Sequence, residues 1–210
     1  MTDSVEKRAK KHFKKTDEVM YRLAENAEKK HLWTTRLTEK RVSGRLFETL
    51  ASSVVSQQLS TKAADTIWNR LKGVCGGRVT PDTILATPLP SLRSAGLSNA
   101  KCKTLTELSL AIKNGLNLPA LRNISEDEAI KKLSAVWGIG TWTAEMFLIF
   151  ALQREDVFSV GDLGLVRAVE EAYGLPKDTP KKTIEEMSLA WAPYRSYACL
   201  LLWNFRDTKS

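Results

Sequence analysis

The chain has 210 residues, 43% of them hydrophobic and 27% charged, so it can bury a sizeable core as one large or two small domains. No hydrophobic run approaches the length of a membrane span, and the N-terminus lacks the apolar stretch of a secretory signal, so we expect an intracellular protein. The net charge is +8, and residues 1–15 carry six basic against two acidic side chains, which favours either a nucleic-acid partner or a solvated lysine-rich helix.

The predicted elements are all helical, and the sequence predicts an all-α protein of about ten helices without period-2 strand patterns. Two segments, "LFETLASSVVSQQ" and "AEMFLIFAL", are too apolar to face water, so we predict that they are central. Gly, Pro and Asn mark loops near 73–80 and 115–124. The boundary signals, in chain order, are Ser60 with Gly73 as a stop, Thr80-Pro81, Ser98 with Gly115 as a stop, the Ser125–Glu128 capping box, Thr179-Pro180 and Pro193.

Metal-ligating side chains are few. The three cysteines, Cys75, Cys102 and Cys199, are widely spaced, and the histidines are His12 and His31. Without a C-x-x-C pair, a zinc or iron–sulfur site is not expected, and the cysteine usage fits a reducing compartment. The sequence therefore predicts no metal and no cofactor.

A glycine turn separates two helical patterns in "AIKKLSAV-WGIG-TWTAEMFLIFAL". Gly138 and Gly140 can take positive φ values without a Cβ clash. The first N–H groups of the second helix have no partner within the helix, and the helix dipole attracts an anion there. Such a turn can bind a phosphate without reading sequence, although taken alone it is weak evidence and is more often an ordinary turn between two helices.

Several motifs together resemble one family. "LSAVWGIGTWTAEMFLIFAL" followed by "REDVFSVGDLGLVRAV" resembles the helix-hairpin-helix DNA glycosylase superfamily (HhH-GPD). The likeness is greatest to its 3-methyladenine DNA glycosylase II branch, which excises alkylated bases. "ASSVVSQQLSTKAADTI", "SAGLSNAKCKTLTELSLAI" and "WAPYRSYACLLLW" also match that branch, so the resemblance covers roughly Leu46 to Phe205.

The resemblance implies two α-helical lobes with the active site in the cleft between them. The central lobe would span residues 44–160 and end in the helix-hairpin-helix at about 130–152. Residues 1–43 and 161–210 would form the second lobe.

The resemblance also implies that Asp162 is the catalytic carboxylate. Without the surrounding motifs, Asp162 is better explained as an N-cap of the helix that follows, and one residue can serve both roles. Cleavage of the base–sugar bond builds positive charge on the deoxyribose, which a carboxylate stabilises. Bifunctional family members carry a lysine where this chain has Trp142, so we predict a monofunctional enzyme without a Schiff-base lyase step. The segment Ser159–Gly161 departs from the branch, which often has a proline or second acid there.

The branch supplies aromatic pocket residues at positions matching Trp142 and Trp203, whose faces would attract a cationic alkylpurine. Met146, one turn after Trp142, could line the same wall. For all three side chains, core packing is the alternative interpretation.

The exposed corner in "SQQLST" is the predicted DNA wedge, which fills the gap left by an extruded base. Gln58 is the main candidate and Leu59 the second, and Gln57 is not excluded. A polar pair in a turn between helices is the alternative. The residues predicted for the phosphate-binding hairpin are Gly138, Ile139, Gly140, Thr141 and Thr143.

Family members often hold a monovalent cation on hairpin carbonyls, which here are those of Ser134, Val136 and Ile139. The side chains neither favour nor oppose such a cation, and we make no prediction for it.

The expected function is excision of alkylated purines of the 3-methyladenine type from double-stranded DNA by a monomer, in a nucleoid or nucleus. Three alternatives remain open at this point. They are a glycosylase for a deaminated, oxidised or mismatched base, a non-catalytic DNA-structure-binding relative, and a helical module for protein contact.

Overall fold

The computed structural model describes residues 4–30 and 45–208. These ranges contain twelve α-helices and no strand, which confirms the all-α prediction. His31 and the predicted lobe boundary at residue 44 lie outside the described residues. The helices, in chain order, are α1 (Val5–Thr16), α2 (Glu18–Lys29), α3 (Leu46–Ser56), α4 (Thr61–Val74), α5 (Pro81–Ala86), α6 (Leu89–Ser94), α7 (Asn99–Lys113), α8 (Glu126–Ser134), α9 (Thr141–Met146), α10 (Leu163–Tyr173), α11 (Lys181–Ser188) and α12 (Arg195–Asp207).

The chain divides into two compact units. We call Val42–Leu152 the central unit, and Met1–Arg41 together with Gln153–Ser210 the terminal unit. No helix within the described ranges is both long and apolar enough to cross a membrane.

Side-chain caps begin several helices of the central unit where the sequence predicted them. Ser60, Ser98 and Ser125 each accept the backbone N–H three residues ahead, and Thr80 forms a reciprocal capping box with Thr83. Each such cap satisfies N–H groups that have no partner within the helix and contributes about 1 kcal/mol. The caps therefore fix helix starts that hydrophobic periodicity alone leaves uncertain.

Several predicted helix ends are displaced. Helix α4 continues past Gly73, and the chain turns instead at Gly76 and Gly77, whose φ values are 71° and 95°. Pro180 is the N-cap of α11 rather than its first residue, and Tyr194 rather than Pro193 precedes α12. The predicted loop at 115–124 contains a 3₁₀ turn at Pro119–Arg122.

Asp17 joins the helices of the terminal unit. Its Oδ1 accepts the Met20 N–H and so caps α2, while its Oδ2 accepts the Tyr173 hydroxyl at 2.6 Å and the Trp191 indole N–H at 2.9 Å. Burial, reinforced by Asp17, raises the pKa of Tyr173 well above its usual range. Trp191 is fully buried with Phe158 packed edge-on against it. This network connects the first helices of the chain to its last ones.

Residues 153–160 belong to the terminal unit, whereas the resemblance implies that they lie in the central lobe. The Ser196 N–H donates to the Glu155 carbonyl at 3.1 Å, and the Ser196 hydroxyl accepts the Val157 N–H at 3.0 Å. Arg195 Nε also donates to Asp156 Oδ1 at 2.8 Å. These bonds to the start of α12 move the boundary to Gln153, because they join segments far apart in the sequence.

Candidate active site and nucleic-acid interface

The glycine turn of the central unit lies between α8 and α9, as the sequence predicted. After Met146, α9 continues as a π-helical turn, Phe147–Ala151, whose side chains are mostly buried. The apolar part of the second hairpin helix therefore lies in the core of the central unit. The buried end of this helix therefore anchors its first residues, and with them the glycine turn that precedes the helix.

Gly138 is required by the fold. Its φ is 84°, in the left-handed region that side chains rarely adopt. A Cβ at this position would overlap the Thr104 hydroxyl and lie 3.0 Å from the Thr104 Cβ. Thr104 is itself buried on α7, where its hydroxyl donates to the Ala100 carbonyl, so it has little room to move.

Gly140 has a different environment. Its φ is −86° and its ψ is 171°, which is extended backbone open to any residue, so the positive φ that glycine allows is used at Gly138 and not at Gly140. A Cβ at Gly140 would meet nothing within 4 Å. The fold therefore gives no internal reason for glycine at this position.

Two residues predicted for the phosphate-binding hairpin are committed to the fold instead. The Ile139 side chain is buried, and its N–H donates to the Val136 carbonyl at 3.0 Å, which closes the turn. The buried Thr143 hydroxyl accepts the Gln57 side-chain amide at 3.1 Å. Of the predicted phosphate-binding residues at the start of α9, Gly140 and the exposed Thr141 are left as candidates. The sequence did not reveal that Thr143 faces inward.

Aromatic surface flanks the glycine turn. Trp142 is 46% exposed, which is unusual for a residue type that normally lies in the core. Met146, one turn later, is half-buried. Trp137 is equally exposed, and the Lys103 ammonium lies 4.3 Å from its ring centroid. The core-packing alternative is therefore wrong for Trp142 and stays open for Met146.

The wedge candidates occupy the turn between α3 and α4. Gln58 is exposed with a φ of 57°, and Leu59 is 37% exposed. Gln57 is half-buried, and its side chain is bonded to Thr143. The three residues thus separate into two that face outward and one that holds the turn.

Asp162, in the terminal unit, is the N-cap of α10. Its Oδ1 accepts the Leu165 N–H at 2.9 Å and the Trp203 indole N–H at 3.4 Å. Trp203 is buried, with 9% of its surface exposed. The structure therefore places Trp203 beside the predicted catalytic carboxylate, and its stacking on a base stays a prediction.

Gly164 and Arg206 complete the surroundings of Asp162. A Cβ at Gly164 would lie 2.9 Å from Asp162 Oδ1, 3.4 Å from Arg206 Nη1 and 3.8 Å from Trp203 Nε1. Arg206 Nη1 also donates to the Gly164 carbonyl at 3.2 Å. The last helix, α12, thus brings an indole N–H and a guanidinium group to one small space beside the carboxylate, and glycine leaves that space open.

Metal-binding side chains do not cluster in the described part of the chain, where no three of His, Cys, Asp or Glu could hold an ion together. The three cysteines are free and buried. In the hairpin, the Val136 carbonyl already accepts the Ile139 N–H, which leaves its second lone pair for any further partner.

Sequence reasoning missed Thr104, Gly164 and Arg206, because each acts through a contact with a residue distant in the chain. Lys101 had one local signal in the sequence, its place in the family-like segment "GLSNAK".

Known proteins are similar to this chain in sequence and in fold. A family model described as "HhH-GPD superfamily base excision DNA repair protein" matches residues 51–193. DNA-3-methyladenine glycosylase 1 of Schizosaccharomyces pombe is 36% identical over 163 residues, which are 75% of this chain and 71% of that protein. The crystal structure of DNA-3-methyladenine glycosidase from Bacillus halodurans superposes with a TM-score of 0.82 at 33% identity, over 99% of this chain and 92% of that one.

A further solved structure carries DNA. The 3-methyladenine DNA glycosylase Mag1 of Schizosaccharomyces pombe, in complex with abasic DNA, superposes with a TM-score of 0.74 at 30% identity. The match covers 95% of this chain and 97% of that one.

The family model covers more than half of the chain, so the chain belongs to the HhH-GPD superfamily of base excision DNA repair proteins. Within that superfamily, its relatives belong to the 3-methyladenine DNA glycosylase branch. The resemblance stated from the hairpin and the Asp162 segment is therefore confirmed for both the family and the branch.

Proposed function

We propose that the protein is a monofunctional DNA glycosylase that hydrolyses the N-glycosidic bond of alkylated purines, of the 3-methyladenine type, in double-stranded DNA. The observation that carries this proposal is the Asp162 carboxylate, held by the first turn of α10 and the Trp203 indole in a chain whose relatives are named 3-methyladenine glycosylases.

Asp162 would act on the sugar. Breaking the base–sugar bond develops positive charge on the deoxyribose, and a nearby carboxylate stabilises that charge or orients the attacking water. Two N–H groups donate to Asp162 Oδ1, so the carboxylate is oriented before a substrate binds. An alkylated purine is already cationic and leaves readily, so the reaction needs no strong general acid.

Trp142 would bind the extruded base. Its exposed indole face offers stacking surface, and a cationic purine gains about 0.5–2 kcal/mol over a neutral one from such a face. Because a tryptophan occupies the position where bifunctional relatives have a lysine, the chain lacks the amine that would form a Schiff base there.

The hairpin and the wedge turn would hold the duplex. The open backbone at Gly140 and the first N–H groups of α9 suit a phosphate, which binds without sequence preference. Gln58 or Leu59 would enter the stack as the damaged nucleotide leaves it, since extrusion costs a few kcal/mol that a filled gap partly offsets.

The test is base release from methylated duplex DNA by the wild-type protein and by an Asp162→Asn variant. Asparagine also caps helices well, so the fold should persist, and circular dichroism melting checks that it does. We expect the single-turnover rate to fall about 10²–10³-fold in the variant. Equal release by both proteins would contradict the catalytic role of Asp162, and no release by wild type would contradict the proposed function.

Two companion measurements separate the alternatives. Borohydride reduction during turnover should trap no covalent adduct, whereas a robust adduct would contradict the monofunctional assignment. A panel of duplexes with deaminated, oxidised or mismatched bases should be cut more slowly than alkylated DNA. Faster release from any of them would favour another lesion.

A further inference from the structure

Lys101 lies on α7 of the central unit, and its side chain reaches the end of α3. The ammonium group donates to the Val55 carbonyl at 2.7 Å and to the Gln57 carbonyl at 2.9 Å. The sequence pattern does not indicate either bond, because 46 and 44 residues separate the partners along the chain. Lys101 thus binds the backbone on both sides of the residue at which α3 ends.

These carbonyls are the ones a helix leaves without partners. The last four carbonyls of α3 have no acceptor role within the helix, and the negative end of its dipole lies there. The Ser56 carbonyl accepts the Leu59 N–H at 3.1 Å, and Lys101 satisfies the carbonyls on either side. Burial lowers the pKa of Lys101, and the two carbonyl oxygens stabilise its ammonium form.

The turn that Lys101 binds contains the exposed Gln58, whose φ of 57° is rare for a residue with a side chain. Such conformations persist where surrounding contacts fix them. A second contact fixes this one, because the Gln57 side chain donates to the Thr143 hydroxyl on α9 at 3.1 Å. The turn is therefore held from α7 through Lys101 and from the hairpin through Gln57.

We propose that Lys101 is a positioning residue for base extrusion: its ammonium group and the Gln57–Thr143 bond hold the Gln58 turn in a fixed place relative to the glycine hairpin. The proposal rests on the proposed function, in which this turn is the wedge. It assigns Lys101 no contact with the base or the sugar. Its effect should therefore appear only when a base must be driven out of a paired stack.

The experiment compares Lys101→Met with wild type on two short duplexes that carry one 7-methylguanine. In the first duplex the lesion is paired with cytosine, and in the second it faces an abasic position that leaves it unpaired. We expect the single-turnover rate on the paired lesion to fall about tenfold or more, because two charge-assisted bonds are lost. The rate on the unpaired lesion should stay within about twofold of wild type, because extrusion costs least for a base without a partner.

Three further variants control for charge, for the loss of a lysine from α7 and for folding. Lys101→Arg keeps the cation and should restore much of the rate on the paired lesion. Lys113→Met removes a lysine at the other end of α7, where it pairs with Asp82, and should leave the ratio of the two rates unchanged. If Lys101→Met does not fold, Gln57→Leu, which removes the bond to Thr143 and leaves the cation in place, should give the same selective loss.

Equal losses on the two duplexes, or no loss on either, would overturn the proposal. Failure of the proposed function is a separate result, because it would appear as no base release from either duplex by the wild-type protein.

Discussion

Helices α9 and α10 begin in different ways, although each start is predicted to serve the same reaction. Helix α9 starts at Gly140, which has no side chain to cap the helix and whose Cβ position is open. Helix α10 starts at Asp162, whose carboxylate caps it and also accepts the Trp203 indole N–H. One start has no capping side chain over its backbone, and the other supplies an anion that is already oriented.

The difference agrees with what each start is proposed to bind. A phosphate needs N–H groups that no side chain already occupies, so a glycine at the N-cap suits it. A developing cation on a sugar needs a carboxylate held in place, and an N-cap aspartate is held by the helix itself. Each start also has a glycine that makes room for a side chain, since Gly138 makes room for Thr104 and Gly164 for the Asp162 carboxylate.

The largest effect should come from Gly138→Ala, in the turn that precedes α9. The new Cβ would meet the buried Thr104 and force a side chain into positive φ, so we expect the free energy of unfolding to fall by about 2–4 kcal/mol. Urea denaturation measures this loss. Gly115→Ala is the matched control, because Gly115 has a φ of 104° and no atom near its Cβ position.

Gly115→Ala should lower the free energy of unfolding by about 1–2 kcal/mol, which is the cost of a side chain at positive φ without any steric overlap. A Thr104→Ala background should reduce the cost of Gly138→Ala toward the same value, since the overlapping hydroxyl is then gone. Equal losses at Gly138 and Gly115 in the wild-type background would show that the Thr104 contact contributes nothing.

The second-largest effect should come from Gly164→Ala, in the first turn of α10. Only Asp162 Oδ1, at 2.9 Å from the new Cβ, would have to shift, and it is the end of a side chain, whereas Arg206 and Trp203 would be in ordinary contact. Stability should change little, because alanine favours a helix more than glycine does. The excision rate should fall about 10²-fold, since a displacement of about 1 Å at a reacting group has that effect.

Single-turnover base release and thermal melting together test this prediction. Gly73→Ala is the control for a glycine inside a helix, because no atom lies within 4 Å of its Cβ position. That variant should melt at the same or a higher temperature and keep its rate. A normal rate in Gly164→Ala would mean that the Asp162 carboxylate does not need the space that Gly164 leaves.

Local chemistry explains what the sequence could predict. The caps at Ser60, Thr80 and Ser98, and that of Asp162 itself, depend on a side chain and a backbone group three residues away, so a short window of sequence contains the whole interaction. The family motifs that identified the hairpin are likewise short, continuous stretches of sequence. These features fixed the fold class and the location of the predicted catalytic carboxylate.

The remaining features depend on contacts between distant segments. The Gln57 amide uses the Thr143 hydroxyl, so a residue that looked available for a phosphate is occupied. The bonds of Ser196 and Arg195 move residues 153–160 into the terminal unit. Helical periodicity contains no information about such pairs, because it describes only which face of a helix is buried.

The smallest effect should come from Gly140→Ala, which sharpens the contrast with Gly138. Alanine accepts the backbone conformation of Gly140, and its Cβ would meet no atom, so the free energy of unfolding should change by no more than about 0.5 kcal/mol. Affinity for undamaged duplex should fall about fivefold, because the methyl group separates the backbone N–H groups from the phosphate at a cost of about 1 kcal/mol. Fluorescence anisotropy at several salt concentrations measures both the affinity and its salt dependence. The salt dependence should stay the same, since no lysine or arginine is removed. Unchanged affinity would mean that DNA does not approach the backbone at Gly140, and the openness of that position would then need another explanation.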